Sequence, residues 1–393
     1  MFKLNYAGIA AAFIAASTLS ACGGGDNNAP SDNPHLTTFM SVPNVTGSTS
    51  FSNDGGVVYQ GRFYLTDRNN KAVDVYDVKT HALVGLIKGT GASAFTGAGA
   101  STDSSGPNSV SPVTGTNKMY ATDVDSVKII DTGSNTVTGV IPINAPGTTA
   151  GTGHRADASC YDADDHLLMV NNAADSFSTW INTDNDSVVA QYAYPDNTTG
   201  LEGCVYDHST RTFYTANDGT DTNPNGELNR ITASAVLNNG TNPISLAAGD
   251  RFTLGQCGPG GIDLGPGTDL IVACDMSGTN GAKLITQILN RTNGQIVATV
   301  PFGGADLLSY DSVSNRYYLG ARNWQTGGVA NKSLPFNPVL GIIDGATHAL
   351  LFQVAAGKGA HVAVVDPATQ QVFVPASAGS AFTDPGIGVY STH

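Results

Sequence analysis

One short pattern recurs seven times along the chain, and this repeat constrains the fold more than any other feature. Each copy begins with a step of small residues and ends in a distinctive side chain. The final residues of the seven copies are Thr49, Asn108, Asp157, Glu202, Gly260, Asp306 and His361. Repeats of about 45 to 60 residues that hold several short strands are typical of β-propellers. We therefore predict an all-β, seven-bladed β-propeller in which these residues begin the innermost strands and converge on the central channel.

A second regularity follows most copies of the pattern. An Asp stands five residues after the final residue in five of them: Asp54, Asp162, Asp207, Asp311 and Asp366. An Asp at the end of a strand accepts hydrogen bonds from backbone N–H groups and so initiates a turn. We interpret these five residues as structural.

The two ends of the repeat array predict how the ring closes. The last copy has no fourth strand at its C-terminal end, whereas residues 35–42 resemble the outer strands at residues 81–88 and 348–355. An N-terminal strand that completes the last blade would leave no open sheet edge. We expect one domain, residues 35–393, closed in this way.

The first residues predict export and lipid attachment. Lys3 precedes an apolar run over residues 6–16, and Leu19-Ser20-Ala21-Cys22 resembles a bacterial lipobox. The expected organisation is a signal peptide at residues 1–21, a lipid such as palmitate on Cys22, and a flexible tether at residues 22–34. Gly23 favours the outer membrane, facing the periplasm or the cell surface, over retention at the inner membrane. An ordinary cleaved signal peptide is the alternative.

The charge of the chain limits its partners. The formal net charge is −14 and only 13% of the residues are charged. Such a chain repels nucleic acids and anionic membranes, so no nucleic acid is expected and membrane contact is expected through the lipid anchor alone. A monomer that binds a small molecule or a protein at the top face of the propeller fits this composition better.

Four cysteines follow Cys22, an even number that suits an oxidising compartment. Cys257 and Cys274 lie symmetrically about a Gly-Pro-Gly turn at residues 265–267, which predicts a disulfide across a hairpin. Cys160 and Cys204 follow the pattern closely in adjacent copies and could form a second bridge. Other pairings remain open, and a cysteine metal site is disfavoured because no Cys-x-x-Cys spacing occurs.

The strand phrases carry a resemblance to a known family. Residues 73–77, 127–131 and 341–344 end in Asp and precede a polar turn and a strand rich in Val and Ile. In this respect the chain resembles the bacterial YVTN-repeat propellers. The resemblance implies the fold, whereas that family includes binding proteins and enzymes and so implies no single function.

The converging side chains are mostly of types that bind metal ions. We predict a metal site from five of them: Asn108, Asp157, Glu202, Asp306 and His361. Close carboxylates repel by about 4 kcal/mol per pair at an effective dielectric near 20, which a divalent cation would offset. The oxygen ligands favour Ca²⁺, whereas His361 would suit Zn²⁺ or Mn²⁺. Gly260 would leave a gap that admits a ligand. In the alternative interpretation, the channel is structural and water-filled, and Arg155 or Arg322 neutralises the carboxylates.

A weaker resemblance concerns activity. Residues 201–207, Leu-Glu-Gly-Cys-Val-Tyr-Asp, look like the Glu-Gly-Pro-Val-Trp-Asp phrase of the gluconolactonase and regucalcin family, whose Glu binds the catalytic divalent metal. The resemblance implies a metal-dependent lactonase or esterase. In such an enzyme His361 or Asp306 would act as general base. Members of that family have six blades, and Cys204 stands here in place of the Pro.

These observations lead to one main hypothesis and two alternatives. The main hypothesis is a lipid-anchored propeller that binds a divalent cation and a ligand or partner protein at the channel mouth without catalysis. His154, Arg322 and Trp324, on or near top-face loops, are the predicted ligand-binding residues. The alternatives are the metal-dependent hydrolase and a propeller lyase that acts on an acidic polysaccharide through His361 or His154.

Overall fold

The computed structural model describes residues 33–197, 200–239, 244, 246–275, 283–328, 334–379 and 381–393. The predicted signal peptide, Cys22 and most of the predicted tether lie outside the described residues. Within the described part of the chain, no helix is both long and apolar enough to span a membrane.

The described residues form seven antiparallel sheets of four strands each, as the repeat predicted. The chain begins with β1 (Leu36–Ser41), which belongs to the last blade. Blades 1 and 2 contain β2 (Asn53–Tyr59), β3 (Arg62–Asp67), β4 (Ala72–Asp77), β5 (Leu83–Ile87), β6 (Val110–Pro112), β7 (Lys118–Asp123), β8 (Ser126–Asp131) and β9 (Thr136–Pro142). Blades 3 and 4 contain β10 (Ser159–Asp162), β11 (Leu167–Asn172), β12 (Phe177–Asn182), β13 (Ser187–Ala193), β14 (Leu201–Asp207), β15 (Thr212–Asn217), β16 (Glu227–Thr232) and β17 (Arg251–Thr253).

The remaining blades follow the same order from the channel outwards. Blades 5 and 6 contain β18 (Pro259–Leu264), β19 (Asp269–Cys274), β20 (Thr286–Asn290), β21 (Ile296–Val300), β22 (Leu308–Asp311), β23 (Arg316–Ala321), β24 (Val339–Asp344) and β25 (Leu350–Ala355). Blade 7 contains β26 (Val364–Asp366), β27 (Gln371–Ala376), β28 (Gly386–Ser391) and β1. The described helical segments are short: α1 (Ala233–Asn239) and three 3-10 turns, Gly91–Ser93, Thr102–Ser104 and Ala248–Asp250.

Burial along the strands follows their place in the blade. Every residue of β11, the second strand of blade 3, is buried because blades pack against both of its faces. The outer strand β9 instead alternates between exposed and partly buried residues along most of its length, because its outward face meets solvent. The core is therefore a series of apolar layers between neighbouring blades. Trp180, fully buried beside Phe213 of the next blade, is one example.

The ring closes as the sequence predicted. β1 pairs antiparallel with β28, with Met40 opposite Ile387. Phe63 of blade 1 stacks on Phe373 of blade 7 with ring centroids 4.8 Å apart. The closing strand and the apolar core between the last and first blades thus join the two ends of the array.

Both predicted disulfides are confirmed. Cys160–Cys204 links the inner strands of blades 3 and 4, and Cys257–Cys274 lies within blade 5. The structural interpretation of the repeated Asp is also supported at four of its five positions. For example, Asp162 Oδ1 accepts the backbone N–H groups of Asp164 and Asp165 at 2.8 and 3.0 Å. Asp54 is the exception.

Candidate functional site

The innermost strands begin around a common axis, and the residues at these positions form an inner ring. Its members are Asp54, Asn108, Asp157, Glu202, Gly260, Asp306 and His361. Six of the seven are the predicted residues, but Asp54 replaces Thr49. The residue after Asp54 identifies its position: Gly55 N donates to Asn108 O at 2.6 Å, as Leu307 N donates to His361 O at 2.7 Å.

The same contact explains the small residues of the repeat. A Cβ atom on Gly55 would lie 2.9 Å from the carbonyl oxygen of Asn108, and one on Gly203 would lie 3.0 Å from Gly261 Cα. Little space exists where one inner strand crosses the next, so glycine fits there without displacing backbone. The prediction of Thr49 for the first copy was wrong because Asp54 lies at the spacing of the turn-forming Asp of other blades. Thr49 is instead an exposed residue of the preceding segment.

A second ring of charged residues lies at the positions directly after the second strand of four blades. Its members are Arg68, Asp218, Asp275 and Arg322. Backbone hydrogen bonds place three of them equivalently: Arg68 N to Ser52 O at 2.9 Å, Asp218 N to Gly200 O at 3.1 Å and Asp275 N to Gly258 O at 2.8 Å. Of these four residues, the sequence led to a prediction of ligand binding for Arg322 alone, although the loop position after each second strand was a signal for all four.

Arginines neutralise one side of the inner ring. Arg68 forms an ion pair with Asp54 and donates from Nε and Nη2 to Asn108 Oδ1 at 3.2 and 2.5 Å. Arg155 lies 2.9 Å from Asp157 Oδ2 and 3.3 Å from Asp54 Oδ2, so it links blade 3 to blade 1. This is the direct neutralisation that the alternative interpretation of the channel predicted.

A third arginine neutralises the opposite side. Arg322 Nη1 lies 2.9 Å from Asp306 Oδ2, and its Nη2 lies 3.0 Å from Asp275 Oδ2. His361 bonds through Nδ1 to Gly359 O at 2.8 Å, and its Nε2 lies 3.7 Å from Asp54 Oδ1. Two of the predicted ligands therefore already have polar partners within the protein.

Glu202 differs from the other carboxylates of the ring. Among the described residues its carboxylate has no hydrogen bond or ion pair, and it lines the central cavity. One carboxylate oxygen of nearby Asp218 is buried without a hydrogen-bond partner. Burial raises the pKa of Glu202 well above its ordinary value, and the charges of Asp218, Asp306 and Asp157 raise it further. Blade 4 thus places two acidic groups near the channel that have no ion pair among the described residues, although the charge of Arg155 acts on both from a distance.

The pKa values of three other carboxyl groups near the channel also reflect the balance between burial and neighbouring charges. Burial raises the pKa of Asp218 to about 8, with contributions from the charges of Asp306 and Asp275. Burial also raises the pKa of Asp157 to about 7, although Arg155 opposes the shift. For Asp54, burial is outweighed by Arg68, His361 and Arg155, which hold its pKa below the usual range. Asp54, which has several cations around it, therefore keeps a low pKa, whereas the single arginine beside Asp157 does not outweigh its burial.

The rings surround a cavity of about 560 Å³. Its upper wall is formed by six residues of the inner ring and the three arginines. Gly260 is not part of this wall, and the predicted gap is absent there because a Cβ atom at Gly260 would lie 3.1 Å from Asp306 Oδ1. Lower in the channel the wall contains apolar side chains, among them Val57, Val205 and Leu308, together with several serines and Asp263. The cavity therefore combines an acidic region near its mouth with a lower part that offers both apolar and polar contacts, and such a combination is found in small-molecule sites.

The five predicted metal ligands do lie on one ring, but they do not form a metal centre as a set. Asn108 is bound by Arg68, Asp157 by Arg155 and Asp306 by Arg322. No group of three or more His, Cys, Asp or Glu in the described ranges is placed to hold a metal ion. The paired residues do not fit a shared ion in this arrangement, and within the described ranges Glu202 is the ring carboxylate that has no arginine partner.

Two of the three predicted ligand-binding residues lie elsewhere. Trp324 is only 6% exposed and packs on Phe302 with ring centroids 5.0 Å apart, so it belongs to the core between blades. His154 bonds through Nδ1 to Asp175 Oδ1 at 2.8 Å and is not among the residues that line the cavity. Arg322 does line the cavity, but as the partner of two carboxylates.

Comparisons with known proteins support the fold and carry no further assignment. No family model and no curated protein matches the chain. A chain in a crystal structure of the mitotic checkpoint complex is 11% identical, with a TM-score of 0.59 over 97% of this chain and 98% of that one. A chain of hydrazine synthase from Kuenenia stuttgartiensis is also 11% identical, with a TM-score of 0.61 over 87% of this chain and 95% of that one. The chain is thus a β-propeller by structural similarity.

Proposed function

We propose that this protein is a lipid-anchored, extracytoplasmic binding protein that takes a cationic group of a small ligand into its central channel, without catalysis. The observation that carries the proposal is the difference between Glu202 and the paired carboxylates of the ring. Asp54, Asp157 and Asp306 each have an arginine partner, whereas Glu202 has no partner among the described residues.

The charge balance at the channel mouth supports a cation. In the two rings and the loop that carries Arg155, six carboxyl groups accompany three guanidinium groups. The carboxyl groups are Asp54, Asp157, Glu202, Asp218, Asp275 and Asp306, and the cations are Arg68, Arg155 and Arg322. A carboxylate in a partly desolvated site gains about 1.5 to 3 kcal/mol from a hydrogen bond with a charged donor. An ammonium group or a metal ion that binds in exchange for the proton of Glu202 would supply the positive charge that this carboxylate lacks.

The location is proposed from the sequence alone. The lipobox-like residues 19–22 and Gly23 support an outer-membrane lipoprotein. Two disulfides in the body of the protein agree with an oxidising compartment. The YVTN-like strand phrases support membership of that group of bacterial propellers. On this proposal the channel samples the periplasm or the surroundings of the cell.

Calorimetric titration of the mature protein tests the binding site. The probes are CaCl₂, MnCl₂, ZnCl₂ and ethylammonium chloride, each titrated into the parent, Glu202→Gln and Asp221→Asn. Asp221 is an exposed residue of the blade-4 loop near Asp218 and serves as a matched acid-to-amide control. We expect saturable binding of one cation, lost in Glu202→Gln and kept in Asp221→Asn.

The outcomes separate the two sources of the positive charge. Binding of divalent ions alone would identify the predicted metal site, reduced to Glu202 and its neighbours. Binding of ethylammonium would identify an organic amine as the ligand. If no probe binds, or if Glu202→Gln binds as the parent does, the proposal is wrong.

A further inference from the structure

We infer that the ligand of the channel is an amphiphilic amine, with its ammonium group at Glu202 and an apolar chain or ring directed into the channel below the inner ring. The inference rests on the proposed function and adds the chemical class of the ligand. It is carried by the apolar wall of the cavity, which lies along the same strands as the acidic mouth.

The acidic and apolar parts of the wall are adjacent along one strand. Glu202 is the second residue of β14, and Val205 follows three residues later; both line the cavity. In blade 6, Leu308 follows two residues after Asp306. Val205 and Leu308 are each only partly buried, although both lie on innermost strands. Because they line the cavity, the surface that they leave uncovered is available to a ligand.

The polar side chains that line the lower channel already have partners. Ser159 Oγ lies 2.9 Å from Ser109 Oγ and 2.8 Å from Ser111 Oγ. Ser309 donates to Ala363 O. Asp263 accepts the backbone N–H groups of the residue that follows it and of a residue in blade 6, each at 2.8 Å. The serine hydroxyl groups are therefore engaged within the protein, and Asp263 is the polar side chain among these that keeps spare acceptor sites. The apolar side chains of this part of the wall are available to the hydrocarbon part of a ligand.

The route from the acidic mouth into the lower channel passes two glycines of the inner strands. Gly203 of blade 4 and Gly261 of blade 5 both line the cavity and pack backbone against backbone, so neither adds a side chain there. A ligand whose ammonium group contacts Glu202 can therefore extend down the channel without displacing a side chain of blade 5. A cavity of about 560 Å³ holds a group of drug-fragment size.

A homologous series of probes tests this inference. Ethyl-, butyl- and hexylammonium chlorides, with sodium hexanoate as the probe of opposite charge, are titrated into the mature protein. We expect affinity to rise by about fourfold for each methylene that enters the apolar region. Hexanoate should not bind, because its head group carries the charge of Glu202.

Two variants locate the apolar contact. Val205→Asn should weaken hexylammonium binding by at least tenfold and leave ethylammonium binding unchanged. Val188→Asn, on the exposed face of an outer strand, is the control. If Val205→Asn does not fold, the chain-length series in the parent still decides the question.

The possible failures are distinguishable. Equal affinity for all three amines, with binding still lost in Glu202→Gln, would overturn the amphiphilic ligand and leave the cation site intact. Binding of ethylammonium that is unaffected by Glu202→Gln would refute the proposed function itself. Tighter binding of hexanoate than of hexylammonium would overturn both.

Discussion

The substitution Asp218→Asn should stabilise the protein, by an amount that grows as the pH rises. Burial and the charges of Asp306 and Asp275 raise the pKa of Asp218 from 3.8 to about 8. Above its ordinary pKa the side chain loses its proton in the unfolded chain but keeps it in the folded one. The unfolded state then binds fewer protons, so the free energy of unfolding falls with increasing pH until the folded pKa is reached.

The size of this effect follows from the number of protons exchanged. Between about pH 5 and pH 7 one proton distinguishes the two states, so the penalty grows by about 1.4 kcal/mol per pH unit and about 3 kcal/mol in total. This slope holds for any folded pKa above about 7. The penalty at about pH 7 is then about 4 kcal/mol, an upper limit for the stability gained in Asp218→Asn. Below pH 7 the side chain is neutral in the folded protein, so the amide leaves the charges around it almost unchanged.

Urea unfolding with the disulfides intact, followed by the fluorescence of the buried tryptophans Trp180 and Trp324, measures this difference. The free energies of unfolding of Asp218→Asn and the parent should differ little near pH 4 and diverge steadily up to about pH 7. Asp221→Asn should follow the parent throughout. Parallel curves for Asp218→Asn and the parent would refute the reasoning, because Asp218 would then be ionised in the folded protein.

Three further predictions concern other parts of the structure. Arg155→Ala removes the partner of Asp54 and Asp157 and should lower the free energy of unfolding by about 3 to 5 kcal/mol. A loss below about 1 kcal/mol would mean that solvent replaces these ion pairs. Both carboxylate oxygens of Asp74 are buried without partners near Asp67, and burial together with the charge of Asp67 raises the pKa of Asp74. Asp74→Asn should therefore raise the melting temperature more at pH 8 than at pH 5. Equal shifts at the two pH values would contradict this prediction. Deletion of residues 33–42 should abolish cooperative thermal unfolding, and a sharp transition near that of the parent would show that six complete blades suffice.

The repeat made the fold predictable because it records a steric requirement. Where inner strands cross, a Cβ atom on Gly55 or Gly203 would contact neighbouring backbone, so small residues mark each crossing in the sequence. The closing strand was also predictable, because residues 35–42 repeat the composition of other outer strands. The Cys257–Cys274 disulfide was predictable from the symmetry of its two cysteines about a turn, and Cys160–Cys204 from their similar positions in adjacent copies of the repeat. These features depend on local chain geometry that each copy repeats.

The charge pairing of the site could not be obtained in the same way. Arg155 and Asp54 are 101 residues apart, and their contact depends on the diameter of the channel and on the path of one loop. Asp54 was assigned to a turn because its spacing matched that of the turn-forming residues. Trp324 was predicted to lie on a ligand-binding loop. That loop instead folds back, so that the indole ring of Trp324 packs on Phe302. Such contacts arise between blades, where no periodic signal exists.

The closing strand gives the propeller a mechanical property. β1 lies at the outer edge of blade 7 and pairs only with β28 among the described strands. Residues 33–35 lead directly into it from the side of the proposed lipid anchor, so tension on the anchor would act first on this pairing. A protease that cuts ahead of Leu36 would release a propeller whose ring remains closed. A strong pull would instead peel β1 away and leave six complete blades beside an incomplete one, so the proposed link to the membrane and the ring closure would depend on a single strand.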